Sequence, residues 1–374
     1  MNFGIEELRI PATLDDSPAA RDFEQTVEAR NAAEAASFGA TGMDFTAAEL
    51  LPGWQPASHE RRRLFGARVD GRIVARGTYH SSTQGDAVST AGLSVQVHPA
   101  FTRRGIGRAL AEALEAAARA EGKRKLHVYA STPAADGPRL DSPTGFGSLP
   151  ADGREVRFLL ARGYALEQVE RASRLALPAD PALLAAKRAY AEERSGDYRV
   201  HLWEGRAPRE LLEDLAVLAT RMSTDAPSAG LEQDEDVWTV ERWLEHEEQD
   251  AQSPRATLYA AVEHIPTGRL AGYTELSVPG DTSRSIEQRD TIVIREHRGH
   301  RLGMLLKVAN IQHLQERHPG HSSIMTFNAE ENRYMLDVNE AVGFVPFAYE
   351  GAWLKKLSGE RQSSTEPSPA VTST

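Results

Sequence analysis

The chain has 374 residues and not one cysteine. That excludes disulfides, thiolate zinc sites, iron–sulfur clusters and a cysteine nucleophile. Long apolar runs are also missing. No uncharged stretch approaches the ~18 residues of a membrane span, so no membrane partner is expected. Positive charge is in deficit, with 43 basic residues against 54 acidic ones and a formal net charge of −11. A general phosphate-backbone binder needs a basic surface, so nucleic acid is not an expected partner. The opening residues, MNFGIEELRIPA, lack a basic segment followed by an apolar core, which leaves a cytoplasmic protein as the expectation. His297, His300, His313, His318 and His321 fall close together, but their spacings match no metal-ligand pattern with carboxylates, and no metal is expected.

What is present is a duplication. At roughly 100–200 residues per domain the length allows about two domains, and two related segments are legible. In the first, the alternating strand Leu93–Val97 leads into HPAFTRRGIGRALAEALEAAARAEG. In the second, Asp290–Ile294 leads into REHRGHRLGMLLKVANIQHLQERHPG. Both read as strand, basic glycine-containing turn, long amphipathic helix and a further strand, Leu126–Tyr129 or Ser323–Thr326. Both later end a short helix in glycine plus an aromatic residue, Gly163-Tyr164 and Gly343-Phe344. Gly107 and Gly303 are 196 residues apart, whereas Gly163 and Gly343 are 180 apart. A loop inserted in the first copy accounts for the difference, and Ser131–Gly153 has the composition of one.

Upstream, Leu64–Val69 and Arg72–Tyr79 flank the hairpin signal Asp70-Gly71, and Thr257–Val262 and Leu270–Val278 flank Pro266–Gly268. Helical segments precede each pair, near Pro18–Phe38 and Pro208–Met222. The fold class is therefore α/β, with a mixed (α+β) sheet in each unit. The first unit spans 1–178 and a linker helix 179–196. The second unit spans 197–358, and a Ser/Thr/Pro-rich tail, 359–374, is expected to be disordered.

The turns carry the chemistry. At a helix start the backbone N–H groups lack partners and the helix dipole adds positive charge. Glycine admits a ligand close to the backbone, and arginine adds bidentate contacts to phosphate oxygens. Thr102–Gly107 and Arg298–Gly303 therefore suit a pyrophosphate. A dinucleotide fingerprint fits less well, because Gly105-Ile-Gly107 is followed by Leu110 where a third glycine or alanine is needed. Neither turn has the Gly-Lys-Ser/Thr of a nucleoside-triphosphate loop.

The two segments resemble the acetyl-coenzyme A motif of the GCN5-related N-acetyltransferase superfamily, Arg/Gln-x-x-Gly-x-Gly/Ala after a strand. Their pairing resembles the tandem arrangement of mycothiol synthase. The resemblance implies two tandem domains of that fold with splayed central strands, and acetyl-CoA as co-substrate. It implies transfer to a primary amine, on a small molecule, by direct attack in a ternary complex. The implied coenzyme contacts are Val97, Arg104, Gly105 and Gly107 in the first unit. In the second they are Val293, Arg298, Gly299, His300, Arg301, Leu302, Gly303 and Met304, with Asn328 and Asn332 after the splayed strand. Each copy departs from the pattern, with Thr102 at the leading Arg/Gln position and Arg301 at the middle glycine.

The superfamily often takes its base from the strand before the turn. There the second unit supplies Glu287 and Asp290, and Glu275 lies on the preceding strand. The corresponding stretch of the first unit, Ala91–Val97, has no carboxylate. The second unit is thus the expected active one and the first a degenerate partner. Glu287 and Asp290 are three apart, so they face opposite ways unless a bulge intervenes, and Glu287 is the preferred base. The usual tyrosine acid is replaced by Leu159 in one unit and Asn339 in the other, and Asn339 can hydrogen-bond a leaving thiolate. Tyr334 and Tyr349 are alternative donors, and Trp203, Trp238, Trp243 and Trp353 belong to the core, an interface or an acceptor pocket. The missing tyrosines also suit a non-catalytic acyl-CoA-binding or regulatory protein. A longer acyl group and a homo-oligomer stay open. On this reading Glu287→Gln and Arg298→Ala each abolish acetyl transfer in a free-thiol release assay.

Overall fold

A computed structural model describes residues 2–39, 42–133 and 135–357. The tail at 359–374 lies outside the described residues. The first half runs β1 (Gly4–Leu8), α1 (Pro18–Phe38), α2 (Ala47–Leu50), β2 (Glu60–Val69), β3 (Arg72–Ser82), β4 (Thr90–Val97) and α3 (Ile106–Ala120). It continues through β5 (Lys125–Thr132), β6 (Arg139–Asp141), β7 (Ser148–Pro150), α4 (Arg154–Ala161) and β8 (Ala165–Ala176). After α5 (Pro181–Glu192) come β9 (Tyr198–Glu204), α6 (Leu212–Asp225), α7 (Val240–Gln252), β10 (Ala256–His264) and β11 (Arg269–Val278). The chain then forms β12 (Ile286–Val293), α8 (Leu302–Arg317), β13 (Ser323–Ala329), α9 (Arg333–Val342) and β14 (Val345–Lys356).

Local chemistry explains several of these boundaries. Ser17 caps α1 by accepting from the Ala20 N–H at 3.2 Å, and Pro18 follows at the first helical position. Asp70 and Gly71 both take positive φ, 47° and 83°, as a two-residue hairpin turn between β2 and β3 requires. The 131–153 stretch read as a loop instead contains the small β6–β7 hairpin. Three paired residues per strand give too short a period-2 pattern to stand out from turn composition.

β8 and β14 determine the architecture. Twelve strands form one sheet in the order β1-β2-β3-β4-β5-β14-β8-β13-β12-β11-β10-β9. The last strand of the second half, β14, pairs with β5 of the first half, and β8 pairs with β13 of the second. The halves have exchanged their closing strands. Packing follows the exchange. Trp353 on β14, 1% exposed, is buried in the first unit's core against residues such as Leu126, Leu149 and Leu166. Leu175 on β8 joins the second core with Leu258, Leu306 and Ile324.

An isolated β5 would present unpaired N–H and C=O groups along an open edge and lose the indole that fills its core. The fragment 1–196 is therefore expected to show no cooperative thermal melt by circular dichroism. Adding the separately expressed 197–374 fragment should restore one. A fragment 1–196 that melts cooperatively alone contradicts this.

Candidate active site

Both units build a wedge from the same parts. β4 pairs in parallel with β5 only over Thr90–Leu93, and β12 with β13 only at Ile286 and Glu287. Past those residues the strands diverge, leaving the inner backbone edges of 94–97 and 288–293 without a strand partner. A helix starts at the wide end of each wedge, α3 after Gly105 and α8 after Arg301, and neither start is capped by a side chain. The first-turn N–H groups there face outward with partial positive charge.

The two turns share one backbone path. Left-handed φ occurs at Arg103 (62°) and Gly105 (83°), and again at Gly299 (86°) and Arg301 (58°). These positions are equivalent, since 299 − 103 and 301 − 105 both equal the 196 that separates Gly107 from Gly303. Glycine and arginine have simply traded places. An arginine in that region costs ~1 kcal/mol, so each copy holds a strained residue to keep the same path.

Their surroundings differ. The first turn opens on a cleft of about 350 Å³ that runs between the splayed strands, walled by Val95, Val97, Val128, Phe101 and Phe158. Gly107 leaves room beside it, because a Cβ there would sit 3.5 Å from Val97 Cγ2. At the second turn, Arg301 stacks over Tyr190 with 3.6 Å to the ring centroid and pairs with Glu193 at 2.8 Å. Arg298 Nε donates to the Val293 carbonyl at 3.1 Å, and its Nη2 lies 3.6 Å from Asp225. The Tyr334 ring comes within 3.6 Å of a Cβ built on Gly303. The linker helix α5 thus covers the second turn, while the first is open.

On the other face of the sheet, beneath α1, lies a cavity of about 440 Å³. Glu34, Leu93, Ser94, Tyr129 and Glu350 line both it and the first cleft. A cavity of about 730 Å³ occupies the matching face of the second unit, and Tyr129 and Gln233 link the two.

Residues 29–137 match the model of the Acetyltransferase (GNAT) family. The tandem GNAT protein from the clavulanic acid biosynthesis pathway is similar in structure, with 24% identity, a TM-score of 0.69, and coverage of 95% of this chain and 98% of that one. This chain has the tandem GNAT fold. A GCN5-related N-acetyltransferase from Sphaerobacter thermophilus is also similar, at 16% identity and a TM-score of 0.59, covering 95% of each chain. No curated protein sequence matches.

Within the tandem GNAT fold, the residues expected from sequence fall into separate groups. Glu287 and Asp290 both line the second unit's cavity. Pairing steps from Thr274↔Thr291 to Leu276↔Gln288, so β12 carries one extra residue, and this bulge brings both carboxylates to one face. Burial, reinforced by Glu275, pushes Asp290 up to about 6, while the Tyr273 hydroxyl donates to it at 3.3 Å. Glu287 faces Arg255 at 3.7 Å. Asn339 is buried away from that cavity and donates to Asn328 Oδ1 at 2.7 Å. Asn332 caps α9, accepting from the Met335 N–H at 3.3 Å. Leu302, Gly303 and Met304 pack into the core side of α8, and His300 contacts the Arg194 carbonyl at 3.2 Å. In the first unit Val97, Gly105 and Gly107 line the cleft, and Arg104 folds back to the Ala100 carbonyl at 2.9 Å. Trp238 and Trp243 line the second cavity, whereas Trp203 stacks on Tyr259 with 5.1 Å between ring centroids.

The sequence reading missed Glu350 and its partner Glu170. They face each other in register on β14 and β8. Their separation, 350 − 170 = 180, equals that of Gly343 and Gly163, so they are repeat-equivalent and straddle the approximate two-fold axis between the units. That shared offset was the one available signal. Burial, with the charges of Glu170 and Glu34, pushes Glu350 up to about 8. Burial and Glu331 push Glu170 up to about 7. Burial thus favours the protonated form of both carboxyls.

A carboxyl with a raised folded-state value adds stability that is full at acid pH and fades as pH climbs toward that value. Glu350→Gln should therefore melt like the parent near pH 5 and be more stable near pH 9, by ~2 kcal/mol. Equal stability of the two proteins at both pH values contradicts the assignment.

Proposed function

We propose that the chain is an acetyl-CoA-dependent N-acetyltransferase whose first unit holds the coenzyme and whose acceptor is a primary amine on a small molecule. The observation that carries this reading is the open cleft between the splayed β4 and β5, which meets the α1-side cavity at Glu350. The donor set suits a coenzyme A molecule. The uncapped N–H groups at 103–108 and the exposed Arg103 suit the diphosphate. The apolar walls and the unpaired edge of 94–97 suit a pantetheine arm, which can add itself as a strand.

Bound there, the acyl thioester supplies an electrophilic carbonyl at the inner end of the cleft. The chain's own groups handle the proton. In its ionised form Glu350, raised to about 8, is a strong enough base to take a proton from an ammonium arriving through the α1-side cavity, and the neutral amine then attacks the thioester carbonyl. The Ser131 hydroxyl donates to Glu350 Oε1 at 3.1 Å and orients it. Tyr129 borders both cavities and offers a hydroxyl toward the departing sulfur, a thiolate with a pKa of about 8.5 that leaves readily. With no cysteine in the chain, transfer is direct, without an acyl-cysteine stage.

A second reading keeps binding and drops turnover. Leu159, buried and lining the cleft, stands where a tyrosine acid is usual, which suits an acyl-CoA-binding regulatory protein. Calorimetry with acetyl-CoA, coupled to thiol release over a panel of amines, separates the two. Gly107→Val narrows the cleft and should weaken acetyl-CoA at least ~10-fold, or about 1.4 kcal/mol. Arg298→Ala should leave affinity unchanged. Loss of binding in Arg298→Ala alone moves the coenzyme to the second unit. Binding without amine-dependent thiol release favours the regulatory reading.

A further inference from the structure

A third kind of cavity, of about 470 Å³, lies between the units, walled by Phe45, Trp54 and Thr78 on one side and His246, Arg255 and Arg289 on the other. Arg76 points into it from β3. Its side chain is 8% exposed, and neither Nε nor Nη1 has a hydrogen-bond partner. It rests over Trp54, 5.2 Å from the ring centroid. An arginine keeps its charge at neutral pH, and a buried guanidinium with unmet donors costs several kcal/mol unless an anion reaches it.

The protein's own carboxylates on that wall are already engaged. Glu60 pairs with Arg62 at 2.6 Å, Glu49 with Arg284 at 2.6 Å, and Asp250 with Arg289 at 3.4 Å. No carboxylate among the described residues lies within 4.0 Å of Arg76. The nearest charges oppose one another, Arg30 adding positive potential and Glu34 relieving part of it. A purely structural role is poorly served by this residue. A methionine or leucine would pack on Trp54 without stranding two N–H groups.

We propose that Arg76 forms the floor of an oxyanion-binding site between the two units, which takes a carboxylate or phosphate group of a ligand. The guanidinium fork offers Nε and one Nη as parallel donors, the geometry that two oxygens of such a group accept. The ring of Trp54 fixes the plane of that fork. Because the site draws on residues from both units, its ligand bridges them.

The test uses the full chain in low-chloride buffer without coenzyme A, so its failure leaves the transferase reading untouched. Inorganic phosphate and succinate are titrated separately, read by thermal melting and calorimetry, against Arg76→Met and the control Arg72→Met, an exposed arginine outside the cavity. The expected result is a melting temperature that rises with at least one of the two anions in the parent and in Arg72→Met. Arg76→Met should lose that response, weaken binding at least tenfold, and melt no lower than the parent in anion-free buffer. The better of the two anions identifies the source as phosphate or carboxylate. Should Arg76→Met fail to fold, an anion-dependent change in tryptophan fluorescence that disappears in Trp54→Phe reads the same contact. No response of the parent to either anion overturns the site, as does an unchanged response in Arg76→Met or, where that variant is unfolded, in Trp54→Phe.

Discussion

Antiparallel pairing of β8 with β14 is the contact on which the rest of the molecule depends. Each wedge forms because a pair of parallel strands touches for only two to four residues and then parts. The outer strand of each wedge, β5 or β13, then needs a partner on its far side. In this chain that partner comes from the other unit. Neither wedge is therefore complete without both halves, and the Glu170–Glu350 pair marks where the exchange crosses its own axis. Burial at the crossing favours the neutral form of both carboxyls.

Duplication preserved the backbone and let the side chains drift. Left-handed residues sit at matching positions in both turns, although arginine and glycine have swapped between them. What differs is cover. Tyr190 from α5 and Glu193 at its C-terminal cap, with Asp225 from the end of α6, engage the second turn's arginines. The second unit instead keeps a large cavity lined by Glu287 and Asp290, brought to one face by the β12 bulge. One unit displays an open, apolar-walled cleft and the other an acid-lined chamber, joined through Tyr129 and Gln233.

Much of this was legible in the sequence. Periodicity and the Asp70-Gly71 turn give the β2–β3 hairpin, and the repeated strand–turn–helix gives both wedges. The offsets of 196 and 180 residues give the duplication. Pairing was not legible, because β8 and β14 carry the same pattern and either sheet can accept either strand. That hid Glu350, which belongs by sequence to one unit and by position to the other. Local motif matching also favoured the second turn, since Arg298 fits the leading position and the first copy has Thr102. Whether a turn is covered depends on a helix a hundred residues away, α5, which no local pattern records.

The central claim is that the first wedge, closed by a strand from the second half, is where acyl-CoA binds. Hydrogen–deuterium exchange of the full chain with saturating acetyl-CoA tests it directly. The account predicts protection at 103–109, along 128–132 and at 349–351, with 299–305 unchanged. Protection at 299–305 without any at 103–109 would contradict it.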